Sequence, residues 1–209
     1  MSALAELYHR CGVEVSGSDT DETFYTDKVL RQLGIPYVEG FSSENLPENC
    51  DLVIYSAAYD PESHPELLAA RERGVPTMAY TEALGAFSRG RVSVAISGVH
   101  GKTTTTALAG TLVEALDLEG SVLAGSAVAD FGGTSVLFRG EKFFLAETCE
   151  YRRHFLDFHP SILVITNVEA DHLDYFADAA DVENAFLEYT RRLPEEGTLI
   201  YCAADSGAL

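Results

Sequence analysis

A glycine-bounded turn between an apolar strand and a helix constrains this chain more than any other stretch. The turn and its flanks read Ser97-Gly98-Val99-His100-Gly101-Lys102-Thr103-Thr104-Thr105, directly after the strand-length apolar run at 91–96. The next apolar residues recur at steps of three and four, which predicts a helix with one buried face: Ala107, Leu108, Leu112, Val113 and Leu116. A strand, a glycine turn carrying Gly-Lys-Thr and a helix are together typical of a phosphate-binding loop.

The loop carries the groups that a nucleotide needs. Gly98 and Gly101 allow backbone N–H groups to point inward, and the helix N-terminus adds a positive dipole end. Lys102 is predicted to reach the β- and γ-phosphates, and the Thr103 hydroxyl to hold Mg²⁺. The commoner pattern has a glycine where this chain has Ile96, so the loop is the shorter Gly-x-x-Gly-Lys-Thr form. A turn whose glycines serve only packing would not explain Lys102 and the threonines after it. The nucleotide site is therefore predicted to comprise Gly98, Val99, His100, Gly101, Lys102, Thr103 and Thr104.

Charge and apolar content exclude several classes of partner. The 209 residues suffice for two domains and carry a net charge of −19, from 33 acidic and 14 basic residues. Such an acidic surface argues against nucleic acid and against an anionic membrane as general partners. No apolar run approaches the roughly 20 residues that span a bilayer. The four cysteines are scattered without a Cys-x-x-Cys pair, which indicates reduced thiols in a cytoplasmic protein. The oligomeric state stays open.

The alternation of strands and helices predicts two α/β domains, placed at 1–81 and 82–209. In the first, helices are predicted at 1–8 with Gly12 as the cap, at 24–33 and at 65–73, and strands at 13–15, 37–38, 51–55 and 75–79. This alternation over short turns indicates a Rossmann-like, doubly wound parallel sheet. Such a domain ordinarily starts with a strand and a glycine-rich turn, so we expect the chain to begin just after them.

The second domain is predicted to extend the sheet that carries the phosphate loop. A connecting helix is predicted at 81–88. The runs 134–138 and 142–146 flank a glycine turn and indicate a hairpin or adjacent strands. The near-continuous apolar run 161–166 is typical of a central parallel strand. A final helix, marked by Val182, Phe186, Tyr189 and Leu193, precedes a last strand at 198–201.

Two polar clusters directly follow strands of this second sheet. They are Glu147-Thr148-Cys149-Glu150 and Asn167-Val168-Glu169-Ala170-Asp171-His172. Either cluster alone would be interpreted as a solvated loop. Because open α/β sheets bind ligands at the carboxyl ends of their strands, the two clusters together predict a site beside the phosphate loop. A carboxylate there suits Mg²⁺, and only one of Glu147 and Glu150 is expected to face the phosphates directly.

These motifs resemble those of the Mur ligase family. The resemblance rests on the phosphate loop, on both polar clusters, and in the first domain on Ser16-Gly17-Ser18-Asp19 and Ser56-Ala57-Ala58. It implies a cytoplasmic enzyme of peptidoglycan synthesis that uses ATP to join L-alanine to the lactyl carboxylate of UDP-N-acetylmuramate through an acyl phosphate. It also implies catalytic roles for Lys102, Glu150 and His172. Thr103 and Glu150 would hold one Mg²⁺, His172 would serve a second Mg²⁺ or the acyl phosphate, and Glu147 would have a supporting role. Ser18, Asp19 and the Ser56 turn would hold UDP.

The comparison with the family pattern also shows differences and leaves alternatives. The family's third domain and the later part of its ATP domain have no counterpart here, so the chain is expected to be an incomplete piece that is inactive alone. Tyr151 and Arg152 stand where the family more often has Ser and Asp. A murein tripeptide-recycling ligase and folylpolyglutamate synthetase are alternatives within the family. A nucleotide hydrolase or switch, and a nucleotide-binding module without turnover, are alternatives of other classes.

Overall fold

A computed structural model describes residues 1–208 of the chain. The chain divides into two compact units, Met1–Ala83 and Leu84–Leu209, and the division falls within a helix at 80–88. Among the described residues, no helix is long and apolar enough to cross a membrane.

The first unit alternates helices and short parallel strands, as the sequence predicts. Its elements are α1 (Ser2–Arg10), β1 (Gly17–Asp19), α2 (Tyr25–Leu33), β2 (Tyr37–Glu39), a 3-10 turn (Ser43–Asn45), β3 (Val53–Tyr55), α3 (Pro65–Arg73) and β4 (Thr77–Ala79). Strand β1 pairs with β2 and β3 pairs with β4, both in parallel. Gly34 and Gly74 end α2 and α3 in the left-handed conformation, each at φ 71°, which glycine adopts without a steric cost.

The strand predicted at 13–15 is wrong, because β1 begins only at Gly17. Gly17 lies opposite Tyr37 in β2, and its N–H donates to the Pro36 carbonyl at 3.1 Å. Val13, by contrast, is 47% exposed. Alternation along the chain marks residues that tolerate an extended backbone, but the position of the partner strand decides which residues pair.

The second unit is built on a six-stranded sheet. After α4 (Tyr80–Ser88), its elements are β5 (Val92–Ser97), α5 (Lys102–Ala115), β6 (Gly120–Val128), a 3-10 turn (Ala129–Phe131), β7 (Thr134–Phe138), β8 (Phe143–Glu147), a 3-10 segment (Tyr151–Asp157), β9 (Ile162–Ile165), α6 (Ala179–Thr190) and β10 (Thr198–Tyr201). The strand order is β10-β9-β5-β8-β6-β7. All neighbours are parallel except β6 and β7. The predicted α/β class with its parallel sheets is thereby confirmed.

The hairpin predicted from 134–138 and 142–146 is wrong, because β6 lies between these two strands. Strand β6 pairs with β7 in antiparallel and with β8 in parallel. A Cβ on Gly120, the first residue of β6, would lie 2.3 Å from the ring of Phe143 in β8, so the two strands approach closely. No strand was predicted from the sequence at 120–128, where the structure has β6. Two apolar runs around a glycine turn do not specify that they pair with each other.

The buried face of α5 also differs from the prediction. Val113 is buried as predicted, but Leu108, Leu112 and Leu116 are 63%, 61% and 65% exposed, and Gly110, which was not predicted, is buried. A Cβ on Gly110 would lie 2.2 Å from the Phe131 ring, so this helix packs closely through small residues. The buried cluster beneath it comprises Ile96, Val113, Val122, Ala124, Phe131, Leu137 and Leu145. The phosphate loop fixes where α5 begins and therefore which side of the helix faces the sheet.

Candidate functional site

The phosphate loop spans the turn from β5 to α5 and requires glycine at two points. Gly101 caps the N-terminus of α5 with φ +82°, and Gly98 has φ +129°. A Cβ on Gly98 would lie 2.1 Å from Thr166 Oγ1 and 2.9 Å from the Asn167 carbonyl oxygen. The loop therefore lies directly against the segment that follows β9, a strand adjacent to β5.

Thr166 and Asn167 hold the loop through three hydrogen bonds. The His100 N–H donates to Asn167 Oδ1 at 2.8 Å, and the Thr166 hydroxyl donates to the His100 carbonyl at 2.6 Å. The Val99 N–H donates to the Asn167 carbonyl at 3.2 Å. Asn167 belongs to the second polar cluster predicted beside the loop, but neither Asn167 nor Thr166 was given a role of its own from the sequence. Their position directly after an apolar strand was the available signal, because carboxyl ends of parallel neighbours meet at one edge of the sheet.

Lys102 lies folded back onto its own loop and onto Glu150. Its ammonium donates to the Gly98 carbonyl at 2.6 Å, to the Val99 carbonyl at 3.1 Å and to Glu150 Oε2 at 3.1 Å. The side chains of Lys102 and Glu150 are 15% and 1% exposed. This is a mostly buried ion pair, and each partner compensates the other's loss of hydration.

His172 and Cys149 complete a cluster around Glu150. His172 Nε2 lies 3.5 Å from Glu150 Oε1. The Cys149 sulfur, a Glu150 oxygen and a His172 ring nitrogen all lie within 4.8 Å of one another. Cys149 is exposed as a residue, but partial burial of its thiol, together with the Glu150 carboxylate, raises the pKa of that thiol. The structure thus brings together Lys102, Glu150 and His172, the three residues to which the sequence analysis gives catalytic roles.

The segment after Glu150 has a strained backbone and contacts the cluster. Arg152 and Arg153 both have positive φ, 52° and 58°, which costs non-glycine residues energy and persists only where the surroundings enforce it. The Arg153 N–H donates to the Glu150 carbonyl at 2.8 Å. The Tyr151 ring lies 4.7 Å from the His172 ring, centroid to centroid. Tyr151 and Arg152 therefore lie in the segment that contacts Glu150 and His172.

Glu147 occupies a different environment from Glu150. Its side chain lies over Gly125 in β6, where a Cβ would come within 1.9 Å of Glu147 Oε1. Its other oxygen, Oε2, is buried and has no hydrogen-bond partner among the described residues. Glu147 therefore has a carboxylate oxygen available for a donor, while Glu150 is the carboxylate in contact with Lys102.

The donors around the loop fit a nucleotide with Mg²⁺. The turn presents a helix N-terminus and an ammonium for phosphates, and Glu150 offers the carboxylate oxygen that Mg²⁺ prefers. Thr103 is half-buried in the first turn of α5, and Thr104 is exposed beside it. Of the three residues to which the sequence assigns Mg²⁺, namely Thr103, Glu150 and His172, the structure brings Glu150 and His172 into contact.

The residues predicted to hold UDP lie in the first unit. The Ser18 hydroxyl on β1 donates to Glu66 Oε2 at 2.6 Å, and Asp19 Oδ1 accepts from the Thr20 N–H at 2.8 Å. Ser56 lies in the turn after β3, where its hydroxyl accepts from the Ala58 N–H at 3.3 Å. Glu66 is the partner that sequence reasoning missed, since it comes from α3, far along the chain.

Comparison with known proteins decides the family. The family model described as "Mur ligase family, catalytic domain" matches residues 1–91, and the model described as "Mur ligase middle domain" matches residues 96–208. The chain belongs to the Mur ligase family. The resemblance proposed from its motifs is thereby confirmed.

The relatives similar in sequence to this Mur ligase chain include enzymes named UDP-N-acetylmuramate–L-alanine ligase. UDP-N-acetylmuramate–L-alanine ligase from Treponema pallidum is 52% identical over 207 residues, which are 99% of this chain and 43% of the relative. The structure of UDP-N-acetylmuramate-alanine ligase from Thermotoga maritima matches with a TM-score of 0.82 at 28% identity, over 99% of this chain and 47% of that one. UDP-N-acetylmuramate:L-alanyl-γ-D-glutamyl-meso-diaminopimelate ligase from Neisseria meningitides matches with a TM-score of 0.83 at 26% identity, over 99% and 69%. The chain thus spans less than half the length of the curated relative.

Proposed function

We propose that this protein uses ATP to join L-alanine to the lactyl carboxylate of UDP-N-acetylmuramate in peptidoglycan synthesis in the cytoplasm. The observation that carries the proposal is the convergence of Lys102, Glu150 and His172 at a phosphate loop, in a chain 52% identical to a relative named for this reaction. The carboxylate oxygen would attack the γ-phosphorus of ATP, giving an acyl phosphate and ADP. The amine of alanine would then attack the acyl carbon, and inorganic phosphate would leave as the amide forms.

In this proposal Lys102 changes partners when ATP binds. Its ammonium now satisfies the Gly98 and Val99 carbonyls and Glu150, and it would turn to the β- and γ-phosphates, whose charge exceeds that of one carboxylate. Glu150, freed from Lys102, would bind Mg²⁺ together with Thr103, and His172 would serve a second Mg²⁺ or the acyl phosphate. Bound Mg²⁺ supplies positive charge that offsets the charge developing on the transferring phosphoryl group.

We assign the two substrates of the first step to different parts of the chain. Residues 1–81 are proposed to hold the UDP-sugar through Ser18, Asp19 and Ser56, and residues 82–209 to bind ATP. Ser18 already donates to Glu66, so binding of UDP would use the lone pairs of its hydroxyl oxygen or replace this hydrogen bond.

A murein tripeptide ligase is the second candidate, because the fold also matches the Neisseria enzyme with a TM-score of 0.83, although the 52% identity to an alanine ligase does not favour it. The two reactions share the acid substrate and differ in the amine. Phosphate release and product mass are therefore measured on the full-length gene product, with ATP, UDP-N-acetylmuramate, and either L-alanine or the tripeptide. Product with alanine alone supports the proposal, and product with the tripeptide alone replaces it by the second candidate. ATP binding without phosphate release under any combination would favour a nucleotide-binding module.

The phosphate-loop part of the proposal is tested separately on this chain by calorimetric titration with ATP. Lys102→Ala is expected to weaken ATP binding about 10- to 100-fold, because a hydrogen bond to a charged group contributes about 1.5–3 kcal/mol. Lys142→Ala is the matched control, since Lys142 is 77% exposed and pairs with Glu119 on the surface. Equal ATP affinities for the two variants would contradict the role of Lys102.

A further inference from the structure

Cys149, Glu150 and His172 form a cluster with three different metal-ligating atoms. Cys149 and Glu150 follow β8, and His172 belongs to the loop after β9. Sulfur, carboxylate oxygen and imidazole nitrogen lie within 4.8 Å of one another. The Mg²⁺ role given above to Glu150 and His172 makes no use of the thiol, because Mg²⁺ prefers oxygen ligands and avoids sulfur.

The separations in the cluster suit a tetrahedral ion. Zn²⁺ binds sulfur at about 2.3 Å and nitrogen or oxygen at about 2.0–2.2 Å, which sets two nitrogen or oxygen ligands of one ion about 3.5 Å apart. His172 Nε2 and Glu150 Oε1 are 3.5 Å apart. The sulfur lies at most 4.8 Å from its two partners, so a change in the Cys149 side chain of about 1 Å would complete three ligand positions.

Both oxygens of Glu150 lie within hydrogen-bond distance of the Lys102 ammonium, and Oε1 also lies 3.5 Å from His172 Nε2. Oε2 is the oxygen nearer the Lys102 ammonium, at 3.1 Å against 3.4 Å for Oε1. Oε1 is the oxygen that faces His172. An ion bound at Oε1 would therefore replace the longer Lys102 contact at 3.4 Å, while Lys102 keeps its 3.1 Å contact to Oε2. Access from solvent is open as well, since Cys149 is exposed and the His172 side chain is 34% exposed.

We propose that Cys149, Glu150 and His172 form a binding site for Zn²⁺ and similar thiophilic divalent ions. The ligands are Cys149 Sγ as thiolate, Glu150 Oε1 and neutral His172 Nε2, with the fourth position open to water. The thiol proton passes to solvent as the sulfur–metal bond forms, so two anionic ligands neutralise the ion. Three protein ligands and an open position are the usual arrangement of accessible zinc sites. The proposal does not depend on the ligase activity. Where that activity holds, bound zinc would compete with Mg²⁺ for Glu150 and His172.

The test is the absorption spectrum of this chain titrated with Co²⁺, which reports thiolate coordination directly. The unmodified chain is expected to develop a near-ultraviolet sulfur-to-cobalt charge-transfer band, which Zn²⁺ abolishes and excess Mg²⁺ leaves in place. Cys149→Ser is expected to remove the band and to lower Co²⁺ affinity at least about 100-fold, more than is typical for loss of an outer partner. Cys202→Ser is the matched control, because Cys202 is also exposed and lies in the same unit. It should keep the band.

A second measurement uses no substitution and so does not depend on the folding of a variant. Alkylation of the chain with and without Zn²⁺, followed by peptide mapping, is expected to show at least tenfold slower modification of Cys149 with zinc. Modification of Cys202 should be unchanged. Absence of the charge-transfer band from the unmodified chain, or equal protection of both thiols, would overturn the proposal.

Discussion

Gly98→Ala tests whether the phosphate loop depends on the close approach of the segment after β9. A Cβ at this position would lie 2.1 Å from Thr166 Oγ1, 2.9 Å from the Asn167 carbonyl oxygen and 3.0 Å from the Asn167 nitrogen. The last two are backbone atoms and cannot rotate away. Gly98 also has φ +129°, a conformation that alanine adopts only with strain. The substitution therefore carries two separate costs.

The two costs set the expected size of the effect. A residue held in a sparsely populated backbone region costs about 1–3 kcal/mol. Forcing a methyl group into a packed site costs about 1–3 kcal/mol more. The free energy of unfolding is thus expected to fall by about 2–6 kcal/mol. Any shift of Thr166 and Asn167 that relieves the overlap would also disturb their hydrogen bonds to His100, so ATP binding should weaken as well.

Gly132→Ala is the matched control for this experiment. Gly132 also has positive φ, 76°, but an added Cβ would meet nothing within 4 Å. It therefore carries only the backbone cost. Urea unfolding followed by circular dichroism compares the variants. With a slope of about 2 kcal/mol per molar urea, the overlap should separate their midpoints by about 0.5–1.5 M. Equal midpoints and equal ATP affinities would refute the close-approach argument.

Three further predictions concern the metal-binding carboxylate, the α5 face and a buried phenol. Glu150→Gln in the full-length gene product is expected to lower kcat about 100-fold or more, roughly 3 kcal/mol, and to raise the Mg²⁺ concentration required. Glu147→Gln should lower kcat less. If Glu147→Gln lowers kcat more than Glu150→Gln does, the two residues exchange roles. Leu112→Ala should change the free energy of unfolding by less than about 0.5 kcal/mol, because Leu112 is 61% exposed. Val113→Ala should lower it by about 2 kcal/mol, because Val113 is buried, and urea unfolding measures both changes. Burial raises the pKa of the Tyr189 phenol above its ordinary value of 10.0, so above that pH the unfolded chain loses this proton first. Stability should then fall by up to about 1.4 kcal/mol per pH unit, a slope that Tyr189→Phe should remove in unfolding measured between about pH 9 and 11.

The sequence by itself determined the local elements, because their causes are local. Glycine just past the end of a helix and proline at its start predicted α2 and α3 with their ends, through Gly34, Gly74 and Pro65. Strand, glycine turn and Gly-Lys-Thr predicted a phosphate loop followed by a helix, and the structure begins that helix, α5, at Lys102. Each of these signals depends on backbone conformations and hydrogen bonds within a few residues, so no distant partner is needed to interpret them.

Strand order and helix rotation were decided by tertiary structure. Strand β6 was not predicted, and its neighbours β7 and β8 were predicted to pair with each other, because apolar content indicates a strand but not its partner. The buried face of α5 was predicted to carry Ala107, Leu108, Leu112, Val113 and Leu116; Val113 is buried, but the three leucines are exposed. The side of α5 that carries Gly110 is buried instead, because this small residue permits close packing against the Phe131 ring.

In the functional site, too, the residue types could be predicted from the sequence, whereas their contacts were decided by the tertiary structure. The phosphate-loop motif identified Lys102 as a phosphate ligand, and the family resemblance implied the roles of Glu150 and His172; each of these motifs lies within one loop. The sequence could not predict that Glu150 contacts Lys102 through both oxygens and His172 through Oε1, or that Asn167 holds the loop. These contacts join segments that follow β5, β8 and β9. They exist because β5 lies between the other two strands in a parallel sheet, which brings three carboxyl ends to one edge.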